Sequence, residues 1–536
     1  MMDVLVVGAG PVGLTLASEL ARHDCRCRII DRLPQPLGYC RAIGVTPRTL
    51  EVWDDMGIAR DMIDAGLWLQ GMRSIINGRS VGDSDLSLPE LPYAELGVPQ
   101  NETERILTEH LHHLGVEVER GVTLTTLSQR ENEVAVQLTD SSGGTREESF
   151  RYVIGCDGAH SAVRHALGIP FEGDAFPMMF MLGDVHVSWD LPYGMSLRAL
   201  RLVEDGAPQM FIAIPLPERG RYRVSALAPN ELAPASNGGE HGIQSEMRGP
   251  SAEILQGVAD ELLPEKAMVS DLRWSSLFRI SMRLAKQYRQ GRVFIAGDAA
   301  HIHPPTGGQG MNTGIQDTYN LAWKLALVLR GVAPESLLDS YEAERRPVGA
   351  DVVARTVAAS VNYGREPGGK LDRLADTQIR VSYRGTEWVR DDAREHTGPA
   401  AGDRAPDADG MRRHGFGFSL HLFDVLRGPQ HVLLAHLQAD AARESVAEIA
   451  DLAREMHAQL GSLVRVAVVA DGEPLPEQPH LTLLQDCEGA FSRAYGPPEG
   501  AFLVRPDGYV GWRGRSWRDP GMREYLKRVF ALVCRS

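Results

Sequence analysis

Three short apolar runs along this chain end in glycine and pass straight into helix-spaced stretches, over residues 3–22, 151–166 and 291–326. An unbroken apolar run of this kind predicts a strand buried on both faces. Apolar residues three and four apart then predict a helix packed against it. Between about residues 175 and 280 the period falls to two, as in QMFIAIP at 209–215 and YRVSA at 222–226, which predicts an antiparallel sheet. Beyond residue 410, strand-like segments at 431–435, 463–469 and 501–504 alternate with helical ones at 441–460 and 521–533. The expectation is an α/β chain in four parts: 1–174 with 281–360, a middle unit 175–280, a helical connector and linker 361–409, and a C-terminal α/β unit 410–536. The Pro-, Gly- and Asp-rich stretch 397–410 marks the last boundary.

The first run, DVLVV at 3–7, leads into Gly8, Gly10, Pro11, Val12 and Gly13 and then a helix. Gly8 makes the turn, Gly10 lets a pyrophosphate approach the backbone, and Gly13 permits close helix–strand packing. Asp31 ends the next strand, where its carboxylate can accept from a ribose hydroxyl. Strand, glycines, helix and acid in this order predict dinucleotide binding, with Arg32 beside Asp31 and Gln100 further on in the candidate set.

The run at 293–296 breaks at Gly297, so that Asp298 can accept hydrogen bonds from a polyol. After Pro304 and Pro305, Gly307, Gly308, Gly310 and Gly314 let the main chain come against a flat ring. The amides of Gly310, Met311 and Asn312 open a helix whose positive end stabilises an anion such as the N1–C2=O edge of a reduced flavin.

The middle run ends in Asp157-Gly158, by itself an ordinary strand-to-helix turn with Asp157 near the cap. Taken together, the three motifs resemble the single-component FAD aromatic hydroxylases built on the para-hydroxybenzoate hydroxylase fold, over at least residues 1–350. The resemblance implies a Rossmann-like FAD-binding domain and an antiparallel-sheet substrate domain over the flavin. It also implies a C-terminal thioredoxin-like domain, best matched by FLVRPDGYVGW at 502–512 and lacking C-x-x-C. Oxygen attack at flavin C4a would give a hydroperoxide that hydroxylates a phenolic or polycyclic aromatic polyketide-like substrate. NADPH or NADH would bind only transiently, since no second G-x-G-x-x-G unit occurs. The same resemblance puts the Pro304 carbonyl and Gly310 on the flavin face and Arg41 near the cofactor, and these three are the candidate catalytic positions. Arg48 reads as a solvated charge, and His301 and His303 as structural partners near the turn.

Phenol-hydroxylase-type members carry an aspartate two residues after the arginine, as a base for the substrate hydroxyl. This chain has Ile43 there. The stretch at 41–51 looks more like hydroxylases of aromatic polyketides and resorcinol-like compounds, so a bulky or activated phenol is expected. Apolar residues of 176–182 and 209–216 are pocket candidates.

The formal charge of −15 argues against nucleic acid and anionic lipid as partners. No stretch approaches the roughly 18–20 apolar residues of a membrane helix and no basic leader precedes residue 3, so a cytoplasmic monomer or homodimer is expected. Cys25, Cys27, Cys40, Cys156, Cys487 and Cys534 show no metal spacing. They read as reduced and structural, against a flavin disulfide reductase. A halogenase would carry Trp-x-Trp-x-Ile-Pro, which does not occur. An epoxidase, a Baeyer–Villiger-type oxygenase or a non-catalytic flavin-binding regulator stand as alternatives.

Overall fold

The computed structural model of the protein describes residues 2–38, 42–203, 209–229, 232, 242–244, 249–304, 306–361, 374–395, 397–471, 475 and 477–531. Arg41, Pro305, Cys40 and Cys534 lie outside the described residues.

The three apolar runs become neighbouring parallel strands. The first sheet runs Arg289–Gln290, Val293–Ile295, Tyr152–Gly155, Val4–Val7, Cys27–Asp31, Val118–Arg120, and only the Arg289–Gln290 pairing is antiparallel. Val4, Leu5 and Val6 are fully buried, as strands covered on both faces must be. Because Val7 pairs with Gly155 and Gly155 with Ile295, all three glycine turns leave one edge of the sheet, the edge where α/β proteins bind ligands. Helices Pro11–Arg22 and Gln309–Leu329 pack closely there. A Cβ on Gly314 would lie 2.6 Å from Val12 and 3.0 Å from the Gly297 Cα, so the bare glycine sets their distance.

The middle sheet runs Gly242–Gln244, Met268–Ala285, Phe171–Ser188, Arg221–Leu227, Gln209–Pro215, Met195–Arg201, Gly71–Ile76, Arg79–Asp85. It takes in residues 71–85, which the sequence reading left with the nucleotide domain; Gly71–Ile76 joins by parallel pairing to Met195–Arg201. Strand periodicity carries no label for the sheet a strand will join, so this crossover was not visible. Helix Ala252–Leu262 covers one face, with Leu255 and Ala259 buried against Met181, Val185, Ala213 and Val224.

Beyond Val361, which ends helix Asp339–Val361, the expected helical connector is not helical where it is described. The described residues of 374–409 hold one two-residue strand, Arg390–Asp391, amid turns, as their glycines and prolines favour. The C-terminal sheet runs Arg390–Asp391, Val510–Gly514, Gly500–Val504, His431–Leu437, Val464–Ala470, Leu481–Asp486, Met411–Arg412. Helix Ala439–Leu460 crosses between the parallel pair His431–Leu437 and Val464–Ala470. The antiparallel Gly500–Val504 and Val510–Gly514 and helix Pro520–Val529 complete a thioredoxin-like order.

This domain is joined to the first by buried charges. Arg505 donates to Glu344 at 2.6 and 2.9 Å, and Lys324 Nζ reaches the same carboxylate at 2.7 Å. Asn320 and Trp323 both donate to Asp507 at 3.1 Å. Burial alone would raise the Glu344 carboxyl, but Arg505 and Lys324 hold it down, to about 2. No helix among the described residues is long and apolar enough to cross a membrane.

Candidate cofactor and substrate site

Gly8 sits at φ +103°, and a Cβ there would lie 2.4 Å from the Cys156 carbonyl oxygen. One on Gly13 would lie 1.9 Å from the Gly8 oxygen. A Cβ on Gly10, by contrast, would meet nothing within 4 Å. Gly10 begins the Pro11–Arg22 helix with no side-chain cap, and Pro11 takes the first helical position. Open amides facing open space fit a pyrophosphate. Asp31 also braces this turn: Oδ2 accepts from the Ala9 amide at 2.7 Å and Oδ1 from Leu33 at 2.8 Å. Each oxygen keeps a second lone pair for a ribose hydroxyl. Arg32 is exposed beside it, and Val12 serves as the spacer against Gly297 and Gly314.

Asp157 accepts from the Val163 amide at 3.2 Å through Oδ2, while its buried Oδ1 has no hydrogen-bond partner among the described residues. Burial raises its carboxyl pKa. Gly158 turns at φ +79°. Sequence reasoning assigned no role to Arg164, which ties this motif to the third by donating to the Ala299 carbonyl at 3.0 Å and to Ala159 at 2.8 Å. A lone arginine in a short helix carries no signal for such a bridge.

At the third turn, Gly297 has φ +60°, and its amide donates to Asp317 at 3.1 Å. Asp298 projects to the exposed side. Asp317 is fully buried between His301 Nε2 at 2.7 Å and Arg345 Nε at 2.8 Å. Burial alone would raise its carboxyl, but Arg345 and His301 hold it down as an anion. His301 is therefore structural, as expected. His303 bonds the Pro304 carbonyl through Nδ1 at 2.9 Å, and burial pushes its pKa down to about 4.

Gly308, at φ +64°, starts the Gln309–Leu329 helix without a side-chain cap. The Asn312 side chain is used as a clamp, accepting from the Thr46 amide at 3.0 Å and donating to Gly44 at 2.9 Å and Gly308 at 2.7 Å. Met311 packs half-buried on the core, and beside Gly310 the nearest atom to a Cβ would be His303 at 3.7 Å. Gln100 accepts from Ala42 at 3.0 Å, so it fixes the loop that leads to Ile43. Arg48 is not a solvated charge. It is 4% exposed, pairs with Glu51 at 2.9 Å and donates to the Asp507 carbonyl at 2.6 Å, joining the C-terminal domain to this loop. Sequence alone could not foresee a partner so far along the chain.

Strand register separates the two faces of the middle sheet. Met181, Val185, Ala213 and Val224 point to the covering helix, so their alternates point the other way. One row across the strands reads Ser276, Leu182, Ser225, Ile212, Arg198, Ser74, and the next Trp274, Asp184, Arg223, Ile214. Leu182, Ile212 and Ile214 are half-buried. Arg223 pairs with Asp184 at 2.7 Å and lies over the Trp274 ring. Ile43 clusters with Ile214 and Leu216, which brings the 42–46 loop against this face.

The glycine cradle and the uncapped helix starts define a dinucleotide flavoprotein site. The FAD binding domain family matches residues 1–356, and the aromatic-ring hydroxylase C-terminal family matches residues 398–532. A flavin-dependent monooxygenase of Mycobacteroides abscessus is 36% identical, over 98% of this chain and 100% of that protein. The 6-methylpretetramide 4-monooxygenase of Streptomyces rimosus is 33% identical, over 96% and 91%. A ternary complex of aklavinone-11 hydroxylase with FAD and aklavinone superposes with TM-score 0.77 at 27% identity, covering 99% of both chains. The chain belongs to the FAD-dependent aromatic-ring monooxygenases. FAD is its cofactor and a reduced nicotinamide nucleotide its reductant.

Proposed function

We propose that the protein hydroxylates a fused-ring or otherwise activated phenol, consuming NAD(P)H, a proton and O2 and releasing NAD(P)+ and water. The observation that carries this reading is Ile43, packed on Ile214 and Leu216 on the sheet face that also holds the half-buried Leu182 and Ile212. An apolar residue at that point supplies no base for the substrate hydroxyl. A substrate whose hydroxyl is already acidic, as in polycyclic quinoid systems, needs none. A flat polycycle also suits the breadth of the face, with Ser225 and Arg198 offering polar contacts along one row.

Bound FAD supplies the reduction of O2 and the transfer of one oxygen atom to an electron-rich ring. In this reading the open backbone at Gly10 holds the pyrophosphate, with Gly8 and Gly13 shaping the turn around it, Asp31 holds a ribose hydroxyl and Asp298 the ribityl chain. The Pro304 carbonyl and the amides of Gly310, Met311 and Asn312 meet the ring. Ile43, Ile214 and Leu216 exclude water and orient the substrate. Support also comes from polyketide-directed relatives such as the 6-methylpretetramide and aklavinone enzymes. The test is a panel of phenol, resorcinols and polycyclic quinones, scored by substrate-stimulated NAD(P)H oxidation and by 18O from 18O2 in the product. Label in a fused-ring product with faster turnover supports the reading; simple phenol as the best substrate rejects it.

A further inference from the structure

The turn that begins the Gln309–Leu329 helix is held from behind by a set of buried side-chain amides and one hydroxyl. Gln309 Nε2 donates to the carbonyls of Gly307 and Asp376, both at 2.8 Å. Gln309 Oε1 accepts from Gln378 Nε2 at 2.7 Å, and that nitrogen also donates to Thr313 Oγ1 at 2.8 Å. Thr313 Oγ1 donates to the Gln309 carbonyl at 2.8 Å, and Gln316 donates to Gln378 Oε1. Gln309, Thr313, Gln316 and Gln378 are all buried, with exposures of 1%, 0%, 4% and 3%.

Two further features single out Gln378. Its φ is +62°, a left-handed conformation that a side chain of this size takes only where its surroundings over-determine it. The turn it backs is soft by itself: Gly307 and Gly308 sit at φ +77° and +64°, and no side chain caps the helix. Apolar side chains could fill the same volume but would leave the Gly307 and Asp376 carbonyls without their donor, so the network fixes the turn by hydrogen bonds and not by packing alone.

We propose that Gln378 is a positioning residue for the reduced flavin. Acting through Gln309, it sets the Gly307–Gly308 turn so that the first amides of the helix are aimed at the anionic edge of the ring. The proposal rests on the reading that this helix start meets the flavin. Fixed amides favour an anion over a neutral ring, because they need no reorganisation as charge develops. Loosening the turn therefore weakens binding of reduced FAD more than of oxidised FAD, and the two-electron midpoint potential moves negative.

The test compares the FAD-loaded full chain with Gln378→Leu, Gln378→Glu and Gln309→Glu. Gln378→Glu keeps the volume but donates to neither Gln309 nor Thr313, and Gln309→Glu cannot donate to Gly307. Each variant is expected to lose about tenfold in affinity for reduced over oxidised FAD, a negative shift of about 30 mV. Val468→Ala, in the C-terminal core, serves as the control and lowers Tm without moving the potential. A parent protein that takes up no FAD overturns the underlying cofactor reading. If it binds FAD and neither glutamate variant moves the potential, or Val468→Ala moves it as far, this proposal alone is overturned.

Discussion

At the residue scale, the glycines divide by what a Cβ would meet. Gly10 faces open space, so Gly10→Ala should leave the apoprotein's stability within about 0.5 kcal/mol while weakening FAD uptake, because the methyl occupies the cradle. Gly314→Ala should do the reverse and cost about 1–3 kcal/mol, since its Cβ would overlap Val12. Denaturant melts paired with FAD titration separate the two, and an equal loss of stability in both variants would contradict the division. Asp298→Ala should cost on the order of 1.5–3 kcal/mol of FAD affinity; unchanged affinity would move the ribityl contact elsewhere. Ile43→Asp should raise kcat/KM for simple phenol relative to fused rings and lower Tm, because it places a carboxylate against Ile214 and Leu216. The motif glycines and the acids Asp31, Asp157 and Asp298 were legible in the sequence because each follows an apolar run at a fixed spacing. The second duties of Asp31 and Asn312, as braces on neighbouring backbone, were not, because nothing local marks a side chain whose partner lies in another motif.

At the element scale, the parallel strands and the long helix were legible from unbroken apolar runs, and the middle sheet from alternation at 209–215 and 222–226. Alternation shows that every second residue shares a face but not which face a helix will cover. Helix Ala252–Leu262 claims Met181, Ala213 and Val224 and leaves Leu182, Ile212 and Ile214 on the opposite face. The recruitment of Gly71–Asp85 and the non-helical connector both depend on long-range pairing, which no window of sequence reports. Ile212→Ala should therefore alter KM for a bulky phenol while Ala213→Gly, on the other face, should act on stability alone. Steady-state kinetics beside thermal melts checks this, and an unchanged KM in the first variant would place the substrate off this face.

At the scale of the whole molecule, acid should unfold the protein early. His23 and His431 are buried, and desolvation pushes both imidazoles down to about 3. A histidine whose folded pKa is depressed stabilises the fold above its unfolded value near 6.5, and that stability is lost progressively as pH falls from there toward 3. Each contributes a slope on the order of 1.4 kcal/mol per pH unit in that window. The depressed Glu344 carboxyl adds its own loss between about 4.5 and 2, as Arg505 and Lys324 lose their counter-ion. Urea melts from pH 7 to 4 should show stability falling steadily, with a shallower slope in His431→Phe; a flat profile would contradict the assignment.

The buried charges between the domains carry a consequence for modularity. Lys324 sits on helix Gln309–Leu329, and the Glu344 carboxylate that it pairs with is shared with Arg505 from the far end of the chain. A version of this protein ending before residue 398 would uncover Asn320, Trp323 and Lys324 and leave Glu344 without its main cation. The terminal domain is thus no detachable accessory: deleting it, or grafting it onto another flavoprotein, demands that the interior of the first domain be rewritten at the same time.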